Sequence, residues 1–360
     1  MKKFAAALLS LGLVAGLVGC GGGGNNSKSG SAASESKSTM EESKMDSSME
    51  SSMESSMESS MADSGDIKLG LCLPTRDQYW TTFELGATDA AKAAGIEAQV
   101  VECKEDISTQ IAQIETFKNN GFDAVVVGLA SNDSYQEAID AAGDMKLVFF
   151  NRMVTDTACL DGKQTIYVGM AEYDAGYAQG EWLADYFKDS GKTELNGMMF
   201  MGILGQQSVT DRTQGAKDAL EKAGYKVNWV FEDTAEWDRT KALDKFTQFA
   251  GTGKEFDFVC SNNDEMALGV IEGCTASGIE INFPIVGIDA TETGCQAIVD
   301  GTLKMTVNQN PTLQGQVVVE CVQDLIAGKT PAGCDDSFVY STEAQAITTD
   351  NVKEAQAMFE

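Results

Sequence analysis

Ile67–Leu73 (IKLGLCL) is an apolar run of strand length, and Thr81–Ala94 (TTFELGATDAAKAA) behind it reads as a helix that stops at Gly95. A second strand, Glu97–Glu102 (EAQVVE), follows at once. The unit then repeats. Ser108–Asn120 reads as a helix with Ser108 at its N-cap and Gly121 at its stop, and Ala124–Leu129 as a strand. Asp133–Ala142 is a helix closed by Gly143, and Leu147–Phe150 another strand. A serine hydroxyl can accept from the free N–H groups of a first turn, and glycine takes the left-handed turn that ends a helix. Continuous apolar strands separated by helices are those of parallel sheets covered on both faces.

Working outward, the rhythm restarts after Ile166. Strands at Met198–Ile203, Val227–Glu232, Phe256–Ser261 and Pro284–Ile288 alternate with helices near 174–189, 209–223, 237–250 and 264–276. The fold class is therefore α/β: two doubly wound parallel-sheet lobes joined by a three-strand hinge. The first lobe is expected from 66–150 and 309–336, and the second from 151–308 and 337–360. The chain should pass between them near 150–152, 307–310 and 335–340. In open sheets of this kind ligands bind beyond the carboxyl ends of the strands, and two lobes facing each other make a cleft.

Ahead of this domain, residues 1–20 read as a signal peptide. Lys2 and Lys3 precede an apolar run, Phe4–Val18, that is short for a membrane span. It ends Leu17-Val18-Gly19-Cys20, which resembles a lipobox and makes Cys20 the candidate acceptor of a membrane-anchoring lipid. Residues 21–65 are rich in Gly, Ser, Glu and Met and carry too little apolar variety for a core. They read as a disordered tether reaching roughly 35–40 Å.

Composition narrows function. The 360-residue chain has no histidine, which removes His-based triads and His metal ligands. Its net charge of −29 leaves no basic footprint for nucleic acid and disfavours polyanions. No cofactor motif is present. Beyond Cys20, eight cysteines contain no C-x-x-C and match no zinc pattern. Cys72 and Cys103 fall on strands expected to be neighbours, so a bridge and buried free thiols both fit.

The candidate site comes from the strand exits. They carry Gln78-Tyr79-Trp80, Asn151-Arg152, Gln206-Gln207-Ser208 before Arg212, Trp237 after an acidic run, Asn262-Asn263-Asp264, Asp289, and Asn308-Gln309-Asn310. Taken singly, such an Asn or Asp is a turn or cap residue, such a Trp is core, and Arg212 is a surface partner for Asp211. Together they offer what a sugar needs: amides, arginines and a carboxylate for hydroxyls, and aromatic rings for the C–H face.

These stretches also carry a resemblance. Val148-Phe149-Phe150-Asn151, Tyr167-Val168-Gly169, Asp233–Asp238, Asn262-Asn263-Asp264 and Gly287-Ile288-Asp289-Ala290 resemble, in order, the type 1 periplasmic sugar-binding proteins. The likeness covers nearly all of 66–360. It implies that Trp80, Arg212, Trp237, Asn263 and Asp289 contact a sugar, with the two indoles on opposite faces of its ring. Against the galactose/glucose branch, Gln78 replaces an aspartate, Gly128 and Gln309 replace asparagines, and Gln206 and Ser208 replace a His and an Asp. Gln309 with Asn151-Arg152 is closer to the ribose branch. The calcium loop of the galactose/glucose branch is missing, Thr193–Gly197 being too short to supply it, so no metal is expected.

The reading is an extracytoplasmic, lipid-anchored solute-binding protein that captures a monosaccharide and delivers it to the permease and ATPase subunits of an ABC importer. A sensor presenting sugar to a membrane receptor uses the same closed form. An enzyme would have to work with Asp289 and Arg212, the one pairing available. A sugar-responsive repressor needs a basic headpiece where this chain has its signal peptide.

Overall fold

Residues 67–357 and 359 are described by the structure, a computed structural model. The proposed signal peptide, Cys20 and the 21–65 tether lie outside the described residues. The first strands and helices follow the alternation: β1 (Lys68–Leu73), α1 (Gln78–Ala93), β2 (Glu97–Glu102), α2 (Ile107–Asn119), β3 (Ala124–Val127), α3 (Tyr135–Ala142), β4 (Lys146–Phe150) and β5 (Thr165–Met170). Side chains on successive residues of a strand point to opposite faces. Leu69, Leu71 and Leu73 accordingly join Phe83, Ala87 and Ala91 of α1, while Cys72 joins Ile114 and Phe117 of α2. Burying each such leucine stabilises the fold by about 1.5–3 kcal/mol.

The chain continues as α4 (Glu172–Phe187), β6 (Glu194–Met201), α5 (Gln207–Lys222), β7 (Lys226–Thr234), α6 (Arg239–Ala250), β8 (Phe258–Ser261), α7 (Asp264–Ser277), β9 (Ile285–Val286) and α8 (Glu292–Val299). It closes with β10 (Thr306–Asn308), α9 (Pro311–Ile326), β11 (Val339–Thr342), β12 (Gln345–Ile347) and α10 (Val352–Gln356). The first sheet runs β11-β5-β4-β3-β1-β2, with every neighbouring pair parallel. The second runs β7-β6-β8-β9, also parallel, and single bridges from Val286 and Asp289 connect it to β10, which pairs antiparallel with β12. Helices α4 and α5 cover one face of the second sheet, and α6, α7 and α8 the other.

Three expectations are corrected. Thr165–Met170 belongs to the first sheet, not the second lobe, because all six of its residues are buried and it needs a neighbour on each edge. Those neighbours are β4 and β11, so residues 337–342 also fall largely with the first lobe. The chain therefore passes between lobes just after Met170, at Asn308–Pro311 and between Thr342 and Gln345, rather than at 150–152 and 335–340. The N-cap of α2 is Asp106, whose carboxylate accepts from Thr109 N at 2.6 Å; Ser108 lies inside the first turn. All eight described cysteines are free thiols, Cys72 and Cys103 included.

Candidate functional site

A cavity of about 490 Å³ opens between the lobes at the carboxyl ends of both sheets. It is lined by Trp80, Asn151, Arg152, Arg212, Trp237, Asn263, Asp289 and Gln309, and also by Tyr79, Gln206 and Ser208. Eleven of the residues named at the strand exits thus meet here, while Gln207, Asn262, Asp264, Asn308 and Asn310 are not part of the lining. Gln78 is not part of it either. Its Oε1 accepts from Thr293 Oγ1 (2.9 Å) and Thr293 N (3.3 Å), so it joins α1 of the first lobe to α8 of the second instead of lining the cavity.

On the first-lobe side, Asp77 caps α1 by accepting from Trp80 N, which places Tyr79 and Trp80 in the opening turn. Trp80 is only 3% exposed and meets Tyr79, Phe83 and Phe150 edge-on. Its ring fills the space above Gly128, where a Cβ would come within 2.4 Å of the indole. The absence of a side chain at Gly128 thus makes room for this tryptophan. Tyr79 donates to Gln314 Oε1 at 2.6 Å and accepts from Asn151 Nδ2 at 3.1 Å. Arg152 is gripped from two sides: Glu105 takes Nη1 and Nη2 at 2.6 and 2.7 Å, and Leu129 O accepts at 2.8 Å. Lys104 and Glu105 both take positive φ to bring that carboxylate round.

On the second-lobe side, Arg212 is buried and bonds Glu172, not Asp211. Its Nε donates to Glu172 Oε2 at 2.6 Å and its Nη1 to Asn262 O at 2.7 Å, 3.8 Å from Asp289 Oδ1. Its Nη2 bonds no acceptor among the described residues. Asp289 has φ of +122° and is tied by its N–H to Val307 O. Gln309 Nε2 donates to Asp289 Oδ1, and Gln309 Oε1 is left buried and unpartnered among the described residues. Burial pushes the Asp289 carboxyl well above the ordinary range, and Asp264 and Asp77 add to the shift against the pull of Arg212. Asn263 caps α7 through Met266 N and still faces the cavity, so its cap and site roles coexist.

Trp237 does not begin a helix; Asp238 caps α6, and Glu236 and Trp237 precede it at φ of +56° and +65°. This left-handed pair lays the indole over Gly202, where a Cβ would lie 2.1 Å from the ring. Trp237 Nε1 donates to Gln206 Oε1 at 2.8 Å, and the Arg212 guanidinium lies 5.5 Å from the ring centroid. Glu105, Arg239 and Glu265 also line the cavity, and none of them was nominated from the sequence. Glu105 sits just beyond β2, the one early strand exit passed over; inspecting it would have found the partner of Arg152. Among the described residues there is no cluster suited to a metal ion.

Residues 69–330 match the family described as the periplasmic binding protein domain. The chain belongs to the periplasmic binding protein family. It is 31% identical over 258 residues to a Rhizobium meliloti protein named for rhizopine binding, a match spanning 70% of this chain and 82% of that one. It is 27% identical over 279 residues to the D-galactose/methyl-galactoside binding periplasmic protein of Haemophilus influenzae, covering 74% and 84% of the two. An ABC transporter solute binding protein of Bacillus halodurans, solved with bound myo-inositol, superposes with a TM-score of 0.73 at 26% identity, over 82% of this chain and 99% of that one. Periplasmic binding proteins of this type are extracytoplasmic carriers of solutes, and the chain is a binding protein, not an enzyme.

Proposed function

We propose that this periplasmic binding protein captures a neutral monosaccharide or cyclic polyol between its lobes and hands it to the permease and ATPase subunits of an ABC importer, while a lipid on Cys20 holds it to the membrane. One observation carries the ligand class. The unspent polar capacity of the cleft is mixed: Arg212 Nη2 can donate, while Asp289 Oδ2 and Gln309 Oε1 can accept. Hydroxyls both donate and accept, so adjacent hydroxyls of one ring satisfy all three. An anion is a poor fit, since all four arginines of the lining already hold carboxylates: Arg76 with Glu84, Arg152 with Glu105, Arg212 with Glu172 and Arg239 with Glu265. Trp237, half-buried beside Arg212, supplies a flat apolar surface for the C–H face of the ring.

Relatives matched over most of their length are named for ribose import, galactose binding and fructose import, which supports a sugar without choosing one. The test is a thermal-shift screen of monosaccharides, cyclitols and their phosphates. A neutral ligand at 100 times its Kd should add about 2.7 kcal/mol of stability. Stabilisation by the phosphates alone would overturn the assignment. For the anchor, wild-type protein should partition into detergent and Cys20→Ala should not; equal partitioning refutes lipidation.

A further inference from the structure

Behind the main cleft lies a second cavity of about 190 Å³, at the point where the chain leaves β5 for α4. The two cavities are neighbours, with Asn151, Arg152 and Ser208 lining both. Two acceptors in the inner compartment have no partner among the described residues: Asn132 Oδ1 and Glu172 Oε1. Both side chains are at least nine-tenths buried, Asn132 at 6% exposed and Glu172 at 9%. Neither can turn its unmet atom elsewhere. Asn132 Nδ2 is committed to Met153 O at 2.6 Å, which fixes the amide, and Glu172 Oε2 is committed to Arg212 Nε at 2.6 Å. No donor on the lining meets either acceptor: Tyr167 bonds Asn151 O, Arg152 bonds Glu105 and Leu129 O, and the Ser208 and Ser341 hydroxyls bond neither.

A buried acceptor left without a donor is costly, and a pair in one polar cavity calls for a group that donates. We propose that the ligand carries a hydrogen-bond-donating substituent, hydroxyl or ammonium, that enters this inner compartment from the main cleft and donates to Asn132 Oδ1 and Glu172 Oε1. The inference rests on the main cleft being the sugar site, and it narrows the ligand to a ring polyol whose substituent is read at the hinge. Because Glu172 lies two residues past the Met170 crossing and Asn132 belongs to the first lobe, one substituent spans both lobes there. Its recognition is therefore tied to closure.

The test is calorimetry on the full chain with D-glucose, D-galactose, D-ribose and myo-inositol, each compared with its monodeoxy and monoamino derivatives. At one ring position the deoxy analogue should bind at least tenfold more weakly than its parent. Asn132→Leu, close in volume but without an acceptor, should cut that preference tenfold or more at that position alone. Should Asn132→Leu not fold, Asn132→Asp answers the same question: a carboxylate there should raise the amino derivative relative to the parent at that same position by tenfold or more. An amino derivative that binds wild type more tightly than its parent identifies ammonium as the donor, and the reverse order identifies hydroxyl. If the deoxy penalty is the same in wild type and variants at every position, the compartment holds water only and the inference falls while the sugar site stands. If no compound in the panel binds wild type, the sugar reading falls with it.

Discussion

On the first-lobe wall of the cleft, Tyr79, Asn151 and Arg152 spend their hydrogen bonds on Gln314, Tyr79 and Glu105, and Trp80 is packed among Phe83, Phe150 and Tyr79. On the second-lobe wall, Arg212, Asp289 and Gln309 each keep an atom unspent, and Asp289, Glu236 and Trp237 stand at positive φ. The first wall spends its bonds within itself and the second holds unmet capacity; positive φ occurs on both, at Lys104, Glu105 and Asn151 as at Glu236, Trp237 and Asp289, each such residue costing about 1–3 kcal/mol. Strain and unmet bonds survive only where the surroundings impose them, and a ligand offsets the unmet bonds. The difference assigns the first wall to shape and the second to recognition.

The largest effect that can break this comparison is on stability. Trp80→Ala should cost about 3–5 kcal/mol in chemical unfolding, as expected for a buried tryptophan. A variant that keeps wild-type stability and loses ligand instead would make the first wall a recognition surface.

Next comes Asp289. Removing it should weaken ligand binding by roughly 1–3 kcal/mol, five- to 150-fold, since a ligand donor is left buried and unpaired. Burial already disfavours its charged form, so Asp289→Asn should melt no earlier than wild type. Early melting with intact affinity would reverse the assignment.

The carboxylates behind that wall set a pH dependence. Burial raises Asp264 from 3.8 to about 7, against the hydrogen bonds from Thr306 and Thr291. A group whose folded pKa exceeds its unfolded value binds its proton more tightly in the folded state. Its contribution is present in full below about 4 and is lost as pH rises through about 7. Wild-type stability should fall by roughly 2 kcal/mol between pH 5 and 8 through this group, and Asp264→Asn should flatten the decline. Parallel slopes for the two proteins would contradict it.

The smallest effect concerns what joins the walls. Gln78→Ala removes the bonds to Thr293 and should weaken binding by about 0.5–1.5 kcal/mol, two- to tenfold. Solution scattering should show a larger radius of gyration without ligand than with it, and a larger one still in the ligand-free variant. Identical curves would mean that closure does not draw on this pair.

The alternation of apolar runs with Gly-stopped helices was legible because the central strands β1, β3, β4, β5 and β8 are buried on both faces, which leaves an unbroken hydrophobic signature. The lobe boundary was not, because β5 carries the same signature whichever sheet it joins; only its pairing with β4 and β11 decides. The strand-exit rule found most of the cleft, since parallel sheets present their carboxyl ends to one side. It misplaced Gln78 because a helix's first turn can point at a ligand or at the facing lobe, and spacing carries no sign of which. Glu105 and Glu172 were overlooked because a carboxylate that neutralises a buried arginine is identified by its partner, and those partners lie 47 and 40 residues away.

The three passages between the lobes also fix an order of completion. Helix α9 places Val318, Val322 and Leu325 over the face of the first sheet that carries Leu69 and Leu71, yet it follows the whole run from α4 to β10 in the chain. A chain emerging from its amino end therefore has β1 to β5 in hand while α1 alone covers one face of their sheet. The rest of that face stays open to chaperones, to proteases or to other nascent chains until residue 326 is out. The lobe that begins first is finished almost last.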